Sequence, residues 1–168
     1  MPEITTPRDL FLHELGDILY VEEKLEREVL PKLLDEVKSE TLQKGLENHL
    51  RETRGHVENI EEVFTKLGEE PTSEECIGFE GLKKEHDQLL QEAAPELVDL
   101  VDAGAAARTE HYEIAAYETL IGLARAIGEP DVVPLLEANL KEEKEALATV
   151  EKAGKEAAKE LAKDLAEA

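Results

Sequence analysis

Apolar side chains recur in alternating steps of three and four residues through four long stretches of the chain. This spacing places them on one face of an α-helix, and each face then forms a buried seam between packed helices. The every-second-residue alternation of a β-strand does not compete with it in any stretch. The spacing therefore predicts an all-α fold with long helices over about 7–37, 39–67, 95–127 and 131–150.

Capping residues and helix breakers mark the ends of these predicted helices. Thr6 followed by Pro7 is typical of a helix start, and Ser39 offers a second N-cap. Gly68 is a suitable residue to end the second helix. Pro31 falls inside the first helix, where we expect a kink because the apolar pattern continues beyond it.

The lengths of the connections predict how the helices are arranged. Short links join the first helix to the second and the third to the fourth, and short links favour antiparallel neighbours. A longer segment, with an amphipathic helix over about 78–93, joins the second helix to the third. We therefore expect a ferritin-like four-helix bundle of two antiparallel hairpins with a short crossover helix, as one domain over 1–168. Residues 151–168 should form a helical tail that frays or packs on a partner.

The charge of the chain excludes several classes of function. With 41 acidic and 19 basic residues, the formal net charge is −22, which repels the phosphates of nucleic acids. No apolar run approaches the roughly 20 residues of a membrane-spanning helix, and no secretory signal is visible. The single cysteine, Cys76, cannot form an internal disulfide, so we expect a cytoplasmic protein.

Titratable residues interrupt all four apolar seams. They are Glu22, His49, His56, Glu113 and Glu143. At 1.5 Å per residue, Glu22, Glu52, His56, Glu113 and Glu143 lie about 18 to 24 Å from the ends of their predicted helices, so these groups should meet near the middle of the bundle. A buried carboxylate without a partner costs several kcal/mol, and bound cations remove that cost.

Two further carboxylates lie on the same helix faces. Glu52 follows Glu22 by thirty residues, and Glu143 follows Glu113 by the same interval, so the two hairpins repeat. Glu110 lies one turn before Glu113. Oxygen ligands with one or two imidazoles suit iron or manganese, and carboxylates from four helices form the di-iron type of site. The pattern predicts a centre of two such metal ions.

Considered singly, these residues have simpler interpretations. A seam glutamate can extend to solvent, and a seam histidine can be a hydrogen-bonded core residue. A small rotation of the helices would also exchange the predicted groups for neighbouring acids. Those neighbours are Glu23, Glu26, Glu137, Glu142 and Glu145.

Four stretches resemble the YciF/YciE-like branch of the ferritin-like superfamily. They read HELGDILYVEEKL, HLRETRGHVENIEEVFTKLG, CIGFEGLKKE and EHYEIAAYETL. The resemblance covers about residues 9–150. It implies a homodimer, a carboxylate-bridged dinuclear metal site and an association with stress responses. By position, it implies the metal ligands Glu22, Glu52, His56, Glu110, Glu113 and Glu143.

Three functional hypotheses follow from the sequence. The first is a dinuclear iron or manganese protein that reacts with peroxide or dioxygen, without nucleic acid or membrane as partner. The second is a metal-independent helical stress or interaction module, and the third is iron storage in a many-subunit cage. The sequence leaves open whether the protein is an enzyme, which would then be a peroxidase- or catalase-like oxidoreductase.

Overall fold

The computed structural model describes residues 4–37 and 39–167, and every regular element within them is helical. The long elements are α1 (Pro7–Lys24), a π-helix (Leu25–Val29), α2 (Leu30–Glu36), α3 (Glu40–Lys66), α4 (Ile77–Glu92), α5 (Val98–Ala126) and α6 (Val133–Glu167). Single 3-10 turns at Pro95–Leu97 and Pro130–Val132 lead into α5 and α6. The predicted all-α fold is confirmed.

The helices start and end where the capping residues predict. Thr6 and Asp9 form a capping box, in which the Asp9 N–H donates to Thr6 Oγ1 at 3.1 Å and the Thr6 N–H to Asp9 Oδ2 at 2.8 Å. The Ser39 hydroxyl caps α3 by accepting from the Leu42 N–H. Gly68, just after α3, has a φ of 74°, a left-handed conformation that side chains disfavour.

The first long helix continues through Pro31 by widening into the π-helix. Within the widened turn, the Leu30 N–H donates to the Leu25 carbonyl, five residues earlier. Pro31 has no N–H, and its ring crowds the carbonyl four residues before it. An extra residue in the turn relieves that crowding, and α1 continues into α2 without a break in the helix. The distortion expected at Pro31 therefore takes the form of a π-helix.

The packing pairs define the bundle around the core. Among the described residues, α1 packs against α3 and α5, α3 packs against α6, and α5 packs along α6. The crossover helix α4 lies against α5. The middle of the bundle is filled by fully buried side chains of Leu15, Ile18, Ile60, Leu120 and Leu136. None of the described helices has both the length and the apolarity that a membrane span requires.

The last helix continues well beyond the predicted seam. It runs from Val133 to Glu167, and Gly154 lies close enough to α5 that a Cβ there would be 3.3 Å from the Ala103 Cβ. Beyond that contact the described side chains of α6 are largely exposed. Residues 151–167 are thus helical, and Ala168 lies outside the described residues.

Candidate metal centre

Six titratable side chains from four helices are buried together in the middle of the bundle. They are Glu22 of α1, His49 and His56 of α3, Glu110 and Glu113 of α5, and Glu143 of α6. None of the six is more than 4 % exposed. The three- and four-residue steps of each helix carry them inward beside leucines and isoleucines, which is why they reach the core.

Their ligating atoms form two overlapping groups. One contains His49, Glu110, Glu113 and Glu143, and we call it the His49 position. The other contains Glu22, His56 and Glu143, and we call it the His56 position. Within each group, one ligating atom per residue lies within 4.8 Å of the others. Because Glu143 belongs to both groups, its carboxylate lies between the two positions.

His56 is surrounded by carboxylates on both ring nitrogens. Nδ1 lies 2.9 Å from Glu143 Oε1 and 3.2 Å from Glu22 Oε1, and Nε2 lies 2.9 Å from Glu142 Oε2. Burial alone would lower the pKa of His56, but the neighbouring charge of Glu22 and the close contacts of its Nδ1–H with the accepting carboxylates of Glu143 and Glu22 raise it to about 11. Without a metal, the imidazole is therefore a buried cation.

His49 faces its carboxylates at longer distances. Nε2 lies 3.4 Å from Glu110 Oε1 and 3.8 Å from Glu143 Oε2, while Nδ1 lies 3.8 Å from Glu52 Oε2. Neither buried ring nitrogen has a hydrogen-bond partner among the described residues. Burial opposes a charge on the ring, but the nearby Glu110 carboxylate raises the pKa of His49. Both nitrogens are thus available for another contact.

Glu113 is the most exceptional group in the centre. It is fully buried, and neither of its carboxylate oxygens has a hydrogen-bond partner among the described residues. Burial first, and then the charges of Glu143, Glu22 and Glu110, raise its pKa well above the usual range. Among the described residues, Glu143 Oε2 and one oxygen of Glu110 likewise have no hydrogen-bond partner, and Glu143 Oε1 has only the ion pair with His56. Such a set of converging, unsatisfied oxygens fits a bound cation, which would neutralise their charge.

A chain of hydrogen bonds supports the centre from behind. The Tyr117 hydroxyl donates a short hydrogen bond to Glu22 Oε1, and the Asn139 amide donates to the Tyr117 oxygen at 3.0 Å. Asn139 Oδ1 in turn accepts from the Asn59 amide at 2.7 Å. Tyr117 and Asn139 are both fully buried. This chain fixes the orientation of Glu22, as second-layer groups do around metal ligands.

The structure brings together five of the six ligands predicted from the sequence. These are Glu22, His56, Glu110, Glu113 and Glu143. Glu52 lies outside both groups, with its side chain 22 % exposed and its Oε1 accepting from the Asn48 amide at 2.5 Å. Its other oxygen faces His49 from the solvent side.

The resemblance did not assign three residues that the structure places at the centre. His49 stands in the apolar seam seven residues before His56, and that spacing alone could have identified it. Tyr117 follows Glu113 by four residues and Asn139 precedes Glu143 by four, so each lies on the same helix face as a predicted ligand. A polar residue one turn from a seam glutamate was the available signal.

A third group of ligating atoms lies at the surface. His13 and Asp17 of α1 stand beside Glu74 of the segment before α4, and all three are partly exposed. His13 Nδ1 is 3.2 Å from Glu74 Oε2, so the group is an ion pair if His13 is protonated. It has none of the unpartnered buried oxygens that distinguish the central groups.

Comparison with known proteins places the chain among YciF-like sequences. A family described as a domain of unknown function (DUF892) matches residues 6–163. Protein YciF of Escherichia coli (strain K12) is 35% identical over 141 residues, which cover 83% of this chain and 84% of that protein.

Solved structures share the fold over nearly the whole chain. YcfI from Rhodopseudomonas palustris is 39% identical, with a TM-score of 0.85, covering 89% of this chain and 96% of that one. The crystal structure of the E. coli stress protein YciF gives 31% identity and a TM-score of 0.85, covering 93% of this chain and 99% of that one.

Proposed function

The chain belongs to the DUF892 family of YciF-like proteins, and from this premise we propose that it is a dinuclear metal protein holding iron or manganese. The family resemblance read from the sequence is thereby confirmed. The observation that carries the proposal is Glu113, whose two buried oxygens have no hydrogen-bond partner in the described part of the chain and face the carboxylates of Glu110 and Glu143. Only a shared proton or a cation relieves this repulsion, and two imidazoles complete a ligand set suited to iron or manganese.

The proposed ligands divide between the two positions. Glu22 and His56 serve the His56 position, His49, Glu110 and Glu113 serve the His49 position, and Glu143 serves both. We retain Glu52 because its carboxylate faces Nδ1 of His49 while Glu110 faces Nε2. The proposal therefore keeps the six residues of the sequence prediction and adds His49.

The protein's own groups provide binding, orientation and proton release. Iron or manganese, once bound, would supply the electrons with which peroxide or dioxygen is reduced. Tyr117 and Asn139 hold Glu22 in place. Cation binding must displace the proton of His56 and the proton that burial favours on the Glu113 carboxyl. Metal affinity should therefore rise with pH.

The wider role is proposed by analogy. The E. coli relative is described as a stress protein. We propose that this chain acts in stress protection, as a homodimer, by consuming an oxidant at its metal centre. The large excess of acidic residues is compatible with a small uncharged oxidant as the reactant.

Metal analysis tests the proposal directly. Protein produced with iron or manganese should retain about two ions per chain. Glu113→Gln should retain fewer than about one, because it removes an acidic ligand at the most crowded point. Glu118→Gln is a matched control on α5, since Glu118 is exposed and pairs with Lys144 at the surface. Wild-type protein with less than one tightly bound ion per chain would overturn the proposal.

One observation favours the metal-independent alternative. His56 already makes close ion pairs with Glu143 and Glu142, so part of the buried charge is balanced without a cation. A metal-independent helical module would have the same thermal stability with and without chelator. A dinuclear metal protein should lose stability when chelator removes the ions, because they bind only the folded chain.

A further inference from the structure

A groove between α3 and α6 connects the protein surface with the metal centre. Its cavity volume is about 470 Å³. Buried His49 and Glu110 line its inner end, and exposed Glu40 and Lys44 line its mouth. The remaining walls are mainly apolar and include Leu42, Gly45, Leu46, Ala146, Thr149 and Val150.

The groove reaches only one of the two metal positions. His49 and Glu110 belong to the His49 position, and both line the groove. Glu22 and His56 are fully buried and, among the described residues, are not part of its lining. The two positions are therefore inequivalent. An external molecule meets the His49 position first.

The groove is far larger than a small oxidant requires. A water molecule occupies about 30 Å³ in the liquid, and dioxygen and peroxide are of similar size. A volume of about 470 Å³ is instead typical of sites that bind small organic molecules, which range over about 300–1,000 Å³. The size of the groove indicates an organic reactant.

The chemistry of the groove narrows the class of that reactant. At the mouth, Glu40 Oε2 lies 3.9 Å from Lys44 Nζ, and Glu145 Oε1 lies 3.6 Å from Lys141 Nζ. These two acids therefore already have cationic neighbours. Glu52 lies further in, where its contact with His49 lowers the pKa of its carboxyl, and its negative charge repels anions. The apolar walls favour an apolar body. The cation proposed at the His49 position favours an oxygen donor at the inner end.

We propose that the groove binds a neutral organic molecule with a hydroxyl group, such as a phenol or an alcohol. The hydroxyl lies at the His49 position, and the apolar body lies along α3 and α6. The placement of the hydroxyl rests on the proposed metal centre. The placement of the apolar body rests on the groove itself.

Ligand binding to cobalt(II)-loaded protein tests this proposal through the visible absorption of the metal. Phenol should change the spectrum in a saturable way, and benzoate, which has a similar body but a negative charge, should bind at least about tenfold more weakly. Azide is a small anion that needs little of the groove, so a comparison of its binding between variants reports whether the metal itself is still accessible.

Groove-filling variants separate the groove from the metal. Thr149 lines the groove six residues after Glu143, and Thr149→Phe should weaken phenol binding at least about tenfold while leaving azide binding unchanged. Ala148→Phe is the matched control, because Ala148 is exposed on the neighbouring face of α6. If Thr149→Phe fails to fold by circular dichroism, Thr41→Phe at the exposed mouth replaces it.

Several results would overturn the proposal. These are equal phenol binding by the groove variant and Ala148→Phe, benzoate binding as strong as phenol binding, or no binding of phenol. A changed particle mass for Thr149→Phe alone would show that a second copy of the chain covers the groove. If the protein does not retain cobalt, the result contradicts the proposed metal centre and not the groove. The groove is then tested by calorimetry with phenol on the metal-free protein, where absence of binding overturns it.

Discussion

At the scale of single residues, the central feature is a set of carboxylates in positions that a helical bundle normally fills with leucine. Glu22, Glu113 and Glu143 could be predicted from the sequence because helical periodicity alone decides which residues face inward. Tyr117 and Asn139 lie one helical turn from Glu113 and Glu143, so the sequence offers a signal for them, but the hydrogen bonds that they make depend on the rotation of α5 and α6 in the packed bundle. On α5, for example, Glu110 and Tyr117 lie on the same buried face, and periodicity alone does not say which neighbour each of them contacts.

The hydrogen bond from Tyr117 to Glu22 gives a residue-scale prediction. Tyr117→Phe removes the donor to Glu22 and the acceptor for the Asn139 amide, both of them buried. We expect a loss of about 1–3 kcal/mol in the unfolding free energy of the metal-free protein. Metal affinity should fall about 10- to 100-fold, because Glu22 is no longer oriented. Urea titration and competition with a metal indicator measure the two effects.

Tyr20→Phe is the control for that experiment. The Tyr20 hydroxyl also donates to a carboxylate, that of Glu80 at 2.9 Å, but this pair is only partly buried and lies outside the metal positions. Its loss should cost less than about 1 kcal/mol and leave metal affinity unchanged. Equal metal affinity for Tyr117→Phe and wild-type protein would contradict the supporting role of Tyr117.

At the scale of elements, the helices and their caps follow from local sequence, but the contact between α1 and the segment before α4 does not. The Glu74 N–H donates to the Gly16 carbonyl at 3.2 Å, so this segment lies directly on α1. Gly16 is buried in a helix where no turn requires glycine. Periodicity describes one helix at a time and cannot predict which helix an irregular segment will touch.

A pair of glycine substitutions tests this contact. In Gly16→Ala the new Cβ would lie 2.9 Å from the Thr72 carbonyl oxygen, so backbone must move, and we expect a destabilisation of about 1–3 kcal/mol. Gly55→Ala is the matched control in α3, because nothing lies within 4 Å of its Cβ. That change should stabilise the protein by up to about 1 kcal/mol through helix propensity.

Chemical denaturation of both variants measures the difference. The expected order of stability is Gly55→Ala above wild type and Gly16→Ala below it. A Gly16→Ala variant as stable as the Gly55→Ala variant would show that the segment near Thr72 does not press on α1.

At the scale of the whole molecule, the charge of −22 divides into two populations. Most acidic residues coat the surface, and some of them pair loosely with lysine or arginine, as Glu118 does with Lys144. The few acidic residues in the centre of the bundle have no lysine or arginine partner among the described ion pairs, and their charge belongs to the candidate metal site. Composition alone could not separate these populations. The positions of the acids in the helical seams do separate them. Which of these side chains contact one another could be seen only in the packed bundle.

The buried groups give the metal-free protein an unusual dependence on pH. Glu113 has a pKa raised above its ordinary 4.5, and His56 one raised from 6.5 to about 11. The folded state therefore binds more protons than the unfolded state. The stability from each group is complete below its ordinary pKa and is lost as the pH rises through the folded value.

We therefore expect the Tm of chelated protein to fall as the pH rises from about 5 to 9, with the loss due to His56 beginning above about 6.5. Metal ions should stabilise the protein more at the higher pH, because fewer protons must be displaced. Thermal melts with and without metal measure the difference in Tm at each pH. A Glu113→Gln control should show a shallower slope without metal. A Tm that rises with pH in chelator would contradict these assignments.

Anomalous diffraction from crystals of metal-loaded protein, measured at the iron and manganese edges, shows whether the bundle holds two metal ions. We expect two peaks in the middle of the bundle, about 3.5–4 Å apart, with the Glu143 carboxylate between them. One peak should lie beside His49 and the other beside His56. No peak inside the bundle, or a peak only at the surface group of His13, Asp17 and Glu74, would contradict it.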